Sequence, residues 1–204
     1  KAANLARLRR LALPVPDGFV CTTAGTRRFL AMETLADDIR RLLRDMDRGL
    51  SDLNFAADRV TRKILDAPLP DDLAQDLTNN YRLLQERVGQ QQGKSSLAIS
   101  VRSSGVSEDG VERSFAGQYT SILNVIDNQS LLVAYKEVIA SGFSARAMSY
   151  RLNAGLPPVD FDLAVLCQVM ADIDCAGVLF TVDPSEPENG RMLISCVPGL
   201  GTQA

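Results

Sequence analysis

The chain has no histidine among its 204 residues. That absence excludes any Ser–His or Cys–His nucleophile pair built from its own side chains. It also leaves the four cysteines without the partner that a mixed Cys/His zinc site needs. Cys21, Cys167, Cys175 and Cys196 show no CxxC spacing and are scattered through apolar segments. They read as reduced, buried thiols, and the expected location is the cytoplasm. No apolar run approaches the length of a membrane span, so no membrane partner is expected. Lys1-Ala2-Ala3-Asn4 has no leader-peptide character. A net charge of −3 argues against nucleic acid as the main partner.

What is present predicts a packed protein. Hydrophobic residues make up 46% and charged residues 23%, a balance that favours a core over disorder. The length suits one sizeable domain or two small ones. Leu5, Leu8 and Leu11 recur at helical spacing until Pro14 and Pro16 stop the helix. Gly18 to Cys21 reads as a short strand, and Thr22 or Thr23 caps a helix through Leu30. Leu35, Ile39, Leu42 and Met46 form an amphipathic stripe. Ser51 caps the next helix, carrying Val60, Ile64 and Leu65. After Pro68 and Pro70, Leu73, Leu77, Tyr81, Leu84 and Val88 share one helical face, and Gln90 to Ser96 reads as a linker.

Beyond Ser96 the pattern turns to strands, at Leu97 to Val101, Tyr119 to Val125, Leu163 to Met170, Gly177 to Val182 and Met192 to Val197. Two helices lie between them, near Ser130 to Ala140 and Ala145 to Leu152, with Asn128 and Ser144 as caps. Pro184 to Gly190 reads as a hairpin connection that makes the last two strands antiparallel neighbours. The fold class is α+β, with a helical segment over 33–93 and a strand-rich part over 97–204 carrying a mixed or antiparallel sheet.

The stretch most suggestive of chemistry is SVRSSGVSEDGVERSFAGQ, from Ser100 to Gln118. Arg102 closes an apolar strand and faces a loop of small residues. A guanidinium binds phosphate oxygens bidentately and stays charged, and glycine lets backbone N–H groups approach an anion. The same stretch also reads as a plain turn in which Arg102 pairs with Glu108 or Asp109. With few large apolar residues, the loop from Ser104 to Ser114 is expected to be open in the free state. Lys1, beside a helix start, could meet a phosphate or simply be solvated. Gln168 is polar within an apolar strand, placed either to bond a flat heterocycle or on an exposed face. Pro198-Gly199-Leu200-Gly201 lacks the Gly-Lys-Ser/Thr ending of a P-loop.

Taken in order, these segments resemble one family. They are Lys1 to Leu5, the Leu13-Pro14-Val15-Pro16-Asp17-Gly18-Phe19 stretch, Val101-Arg102-Ser103-Ser104, Glu108-Asp109 and Ser114-Phe115-Ala116-Gly117-Gln118. Leu123-Asn124-Val125, Gln168-Val169-Met170, Gly177 to Pro184 and Gly199-Leu200-Gly201 follow. The chain resembles the N-terminal ATP-binding domain of phosphoenolpyruvate synthase and pyruvate phosphate dikinase over nearly its whole length.

The resemblance implies a partial ATP-grasp fold and ATP as ligand. It implies that Lys1 and Arg102 contact phosphate, with Arg102 supporting transfer. Gly117 would lie against the nucleotide, Ser121 would stand where the family usually has Thr, and Gln168 would meet the adenine side. Two glycines that precede the family's lysine are absent, and Pro198 and Thr202 flank the Gly-Leu-Gly where an aromatic residue and Glu are usual. The Mg²⁺ ligand is expected beyond Ala204, so no metal ligand is assigned here. The implied partners are a swivelling phosphohistidine domain and an acceptor-binding domain of the same longer protein. The implied function is passage of a phosphoryl group from ATP to the histidine, then to an acceptor such as pyruvate, with these 204 residues inactive alone. The alternative is a non-catalytic nucleotide-binding regulatory module.

Overall fold

The computed structural model describes residues 1–92, 97–105, 109–110, 113–114, 119–157 and 162–201, with 90–92, 109–110 and 113–114 described by backbone only. Gly117 and residues 106–108 and 111–112 of the loop expected to be open therefore lie outside the described residues. The chain divides into a unit from Lys1 to Met170 and a second from Ala171 on.

In the first unit, α1 (Ala2–Arg10) precedes strand β1 (Gly18–Cys21) and the helices α2 (Thr23–Leu30), α3 (Glu33–Asp47), α4 (Leu53–Asp66) and α5 (Asp71–Gln92). Next come β2 (Ile99–Gly105), a two-residue ribbon of β3 (Asp109–Gly110) and β4 (Arg113–Ser114), and β5 (Ser121–Val125). Helices α6 (Asn128–Ser141) and α7 (Ala145–Asn153) lead to β6 (Leu163–Val169). The main sheet is antiparallel, in the order β1-β6-β2-β5.

Caps moved by one residue from two expected positions. Asp52, not Ser51, starts α4, its carboxylate accepting the Phe55 N–H at 2.8 Å. Asp127, not Asn128, starts α6, accepting the Ser130 N–H at 2.7 Å in a capping box. In both places a carboxylate sits at the positive end of the helix dipole, where its charge is favourable. Ser144 caps α7 as expected. Helix α5 runs three residues into the stretch read as linker, and β2 continues past Val101 to Gly105. Arg102 is therefore mid-strand rather than at a strand end. The cause is β6, which pairs with all seven residues of β2, from Ile99↔Val169 to Gly105↔Leu163. That ladder carries Ser103 and Ser104 into a strand that their own propensities do not favour.

One sheet face packs on the helices. Ile99, Val101, Val165, Cys167 and Val169 are buried there with Phe29, Val60, Ile64, Leu84, Tyr135 and Ile139. The α5 stripe is buried as read, as are Val60 and Ile64 in α4 and Leu35 and Ile39 in α3, where Leu43 takes the place expected of Leu42. Met46 and Leu65 are only partly buried, and in α1 Leu5 is partly buried while Leu8 and Leu11 are exposed. The Tyr81 hydroxyl donates to the Leu97 carbonyl at 2.8 Å and ties α5 to the lead into β2. Asn124 has φ of 58° where the β2–β5 register shifts between Ile99 and Val101. Asparagine tolerates that left-handed conformation better than most residues, so the bulge falls on it.

The second unit holds β7 (Cys175–Phe180) and β8 (Leu193–Pro198), an antiparallel hairpin joined through a 3₁₀ turn at Pro187–Asn189. A Cβ at Gly177 would lie 2.2 Å from the Ser195 carbonyl oxygen, so only glycine fits. Cys175 and Cys196 are exposed here, against the expectation of four buried thiols. They are diagonal neighbours across the hairpin, and their hydrogen bond raises the Cys196 pKa.

Cys21 and Cys167 lie at the helix-packed face, and burial raises both thiols, Cys167 to about 12. A raised folded pKa gives stability that is complete below the unfolded value and lost as pH climbs toward the folded one. Stability should therefore fall as pH rises from about 8.5 toward 12, where the unfolded thiol ionises and the folded one does not. Cys167→Ala should lower stability at neutral pH and flatten this alkaline decline. Denaturant titrations from pH 7 to 11 check it; equal slopes for variant and parent would refute the assignment.

Candidate functional site

Alternation along β2 and β6 gives the sheet a second face. Ser100, Arg102 and Ser104 on β2 stand opposite Gln168, Leu166 and Ala164 on β6. Directly paired residues of an antiparallel ladder point to the same side, so Ser121, paired with Arg102, shares this face. Ser121 is exposed and Arg102 half-buried. Among the described residues, the Arg102 guanidinium makes no hydrogen bond or ion pair.

Lys1 reaches the same place from 102 residues away. Its Nζ donates to the Ser103 carbonyl at 2.9 Å, and the Ala2 N–H donates to Ser104 Oγ at 3.0 Å. The pairing of β5 with β2 ends at Ser121↔Arg102, and Lys1 contacts β2 at the next residue. Two cationic side chains, Lys1 and Arg102, are thereby set beside adjacent positions of one strand. Nothing in the spacing of Lys1 predicted this; the serines after Arg102 were the available signal, since each offers an acceptor to the start of α1.

Gln168 marks the other end of the face. Its Nε2 donates to the Pro16 carbonyl at 3.1 Å, and its own backbone carbonyl accepts from Ser100 Oγ at 3.3 Å. Among the described residues its Oε1 makes no hydrogen bond. A pocket of about 140 Å³ opens between α1, the Val15–Pro16 segment and the sheet, lined by Leu5, Val15, Pro16, Gly18, Leu166 and Gln168. Gly18 is required at its wall, because a Cβ there would lie 2.3 Å from the Cys167 carbonyl oxygen. Asp17 is held by Arg9 of α1 and, at 3.5 Å, by Arg87 of α5, which secures the turn into β1.

The face thus joins Lys1, Arg102, Ser121 and Gln168; Gly117 lies outside the described residues. Its chemistry is cationic at one end and mostly apolar at the other, where Gln168 and Arg9 are the polar side chains lining the pocket. Among the described residues no group of three or more His, Cys, Asp or Glu could hold a metal ion. Cys21, Cys167 and Tyr135 cluster at the opposite face, where burial raises all three pKa values and keeps them protonated. They are not activated nucleophiles. No described helix is long and apolar enough to cross a membrane.

Gln168→Leu should leave the Pro16 carbonyl without its donor and destabilise the first unit by about 1–2 kcal/mol. Urea unfolding of the variant measures this, and an unchanged midpoint would show that the bond contributes nothing.

A family model described as "Pyruvate phosphate dikinase, AMP/ATP-binding domain" matches residues 1–204. A protein of Staphylothermus marinus named "Probable phosphoenolpyruvate synthase" is 33% identical over 202 residues, covering 98% of this chain and 24% of the relative. The phosphoenolpyruvate synthase of Synechocystis is 33% identical, covering 96% of this chain and 24% of the relative. An uncharacterized phosphotransferase of Bacillus subtilis is 30% identical, covering 98% and 21%. The chain therefore spans about a quarter or less of the length of these relatives. The family-model match runs the whole length of the chain, which therefore belongs to the pyruvate phosphate dikinase AMP/ATP-binding domain family.

Proposed function

We propose that this face binds ATP, with the triphosphate along Lys1, Arg102 and Ser121 and the adenine toward Gln168. The observation that carries the reading is the seat of Lys1 on the Ser103 carbonyl, next to a guanidinium with no partner among the described residues. Two neighbouring cations suit a polyphosphate, with the arginine giving bidentate contacts and the lysine a compact charge. The Gln168 Oε1 suits the exocyclic amine of adenine, and the adjoining apolar pocket suits a flat ring. Gly117, following in sequence, is proposed to approach the nucleotide through its backbone.

The fold is proposed to be the first part of an ATP-grasp domain, with 33–93 as its helical segment and 97–204 as its strand-rich ATP-binding part. The protein carrying it is proposed to be an ATP-dependent phosphotransferase. The β-phosphoryl group of ATP would pass to a histidine on a separate swivelling domain, leaving AMP and releasing the γ-phosphate to water or phosphate. The histidine would then hand its phosphoryl group to an acceptor such as pyruvate. Lys1 and Arg102 would neutralise charge on the phosphates and hold them in line, which is most of what such transfers require of a protein. Among the described residues no group of three or more His, Cys, Asp or Glu could hold a metal ion, and the Mg²⁺ ligand is proposed to lie beyond Ala204. These 204 residues alone are proposed to be inactive in transfer.

In the full-length protein, Arg102→Ala should lower phosphoryl transfer on the order of a hundredfold or more while melting behaviour is retained. Transfer is followed as AMP formed from ATP. Near-parental turnover would remove Arg102 from the site. Tight ATP binding by the parent without AMP formation would instead favour a regulatory nucleotide-binding module.

A further inference from the structure

Arg151, on α7, is completely buried at 0% exposure. A guanidinium is costly to bury, and only the acceptors it finds offset that cost. Arg151 Nη2 donates to the Gly142 carbonyl at the end of α6 and the side chain hydrogen-bonds that of Tyr119, whereas its Nε and Nη1 have no hydrogen-bond partner among the described residues. A second tie acts one residue further on. The Thr120 N–H donates to Ser141 Oγ at 3.1 Å, and that hydroxyl donates to the Val138 carbonyl at 2.7 Å. The junction between α6 and α7 therefore grips Tyr119 and Thr120 through two separate bonds. The following residue is Ser121, which opens β5 and pairs with Arg102.

We propose that Arg151 is a positioning residue for the nucleotide site. Through Tyr119 it sets the start of β5, and so the placement of Ser121 opposite Arg102. The inference rests on the reading of that face as the ATP site. Geometry favours arginine for the task. Its Nη2 carries two N–H donors held in the guanidinium plane, which can address the Gly142 carbonyl and the Tyr119 hydroxyl in two fixed directions, and lysine offers only a point charge. Burial lowers the Arg151 pKa, and the Tyr119 contact opposes that shift. Tyr119 and Thr120 are held by hydrogen bonds rather than by deep burial of their side chains, since Tyr119 is half-buried and Thr120 exposed. Loss of one bond should loosen this segment without unfolding the helices.

The test uses the full-length protein, with Tyr119→Phe and Arg151→Lys. Tyr119→Phe removes only the hydroxyl and leaves the Arg151–Gly142 contact, so it remains informative if Arg151→Lys fails to fold. Calorimetry with a β,γ-imido analogue of ATP gives affinity, melting gives stability, and hydrogen exchange over 119–125 gives local order. The expectation for Tyr119→Phe is about fivefold weaker analogue binding, the loss of a single hydrogen bond. Exchange over 119–125 should be faster while α6 and α7 keep parental protection. Melting should stay within about 3 °C of the parent. Parental affinity in Tyr119→Phe would overturn the inference and leave the ATP reading standing. Weaker binding accompanied by a matching fall in melting temperature would also overturn it, in favour of a purely structural bond. No analogue binding by the parent would overturn the ATP reading and this inference with it.

Discussion

The pairing of β6 with β2 is the constraint on which the first unit depends. Seven consecutive residue pairs fix which side chains face the helices and which face away. Because side chains alternate with period two, a slip of one residue would exchange the faces. Val101 and Cys167 would then leave the core, and Arg102 and Gln168 would enter it without acceptors for their donors. Burial of Ile99, Val101, Val165, Cys167 and Val169 on one side therefore places the polar residues on the other. Core formation and site formation are one event in this sheet.

The ladder also explains how a terminal residue comes to stand beside mid-chain ones. β2 is longer than the part of it that β5 pairs, since pairing with β5 ends at Arg102. Lys1 and Ala2 bond to Ser103 and Ser104, the next residues along. Gln168 plays a double part at the other end, with Nε2 securing the Pro16 carbonyl and its remaining amide oxygen facing no protein donor among those described. Gly18 makes the close approach of β1 to β6 possible, and the Arg9–Asp17–Arg87 contacts hold the turn before it. The candidate nucleotide face is thus assembled from contacts of long sequence separation, none of which is stable without the sheet.

The second unit follows the same period-two logic with a different outcome. Val178 and Phe180 on one face of its hairpin, and Leu179 and Ile194 on the other, are all exposed, between 44% and 67%. A two-stranded hairpin with apolar residues on both faces is marginal on its own. Its close spacing is nonetheless built in, because Gly177 admits the Ser195 carbonyl where any side chain would collide.

The sequence by itself determined the elements whose signals are local. Apolar period marked the stripes of α3 to α5, prolines stopped α1, Ser144 capped α7, and the turn residues between β7 and β8 announced their hairpin. The order of motifs also named the family, because many short matches in sequence carry information that no single one holds. Tertiary structure decided what rests on distant partners. It extended β2 through two serines, chose carboxylates over the neighbouring Ser51 and Asn128 as caps, and left Cys175 and Cys196 exposed. It brought Lys1 to the strand of Arg102, and it buried Arg151 against the segment that leads into Ser121. The reason is physical: local propensities act over a few residues, whereas burial and strand pairing act between residues a hundred or more positions apart, and only the folded sheet sets those distances.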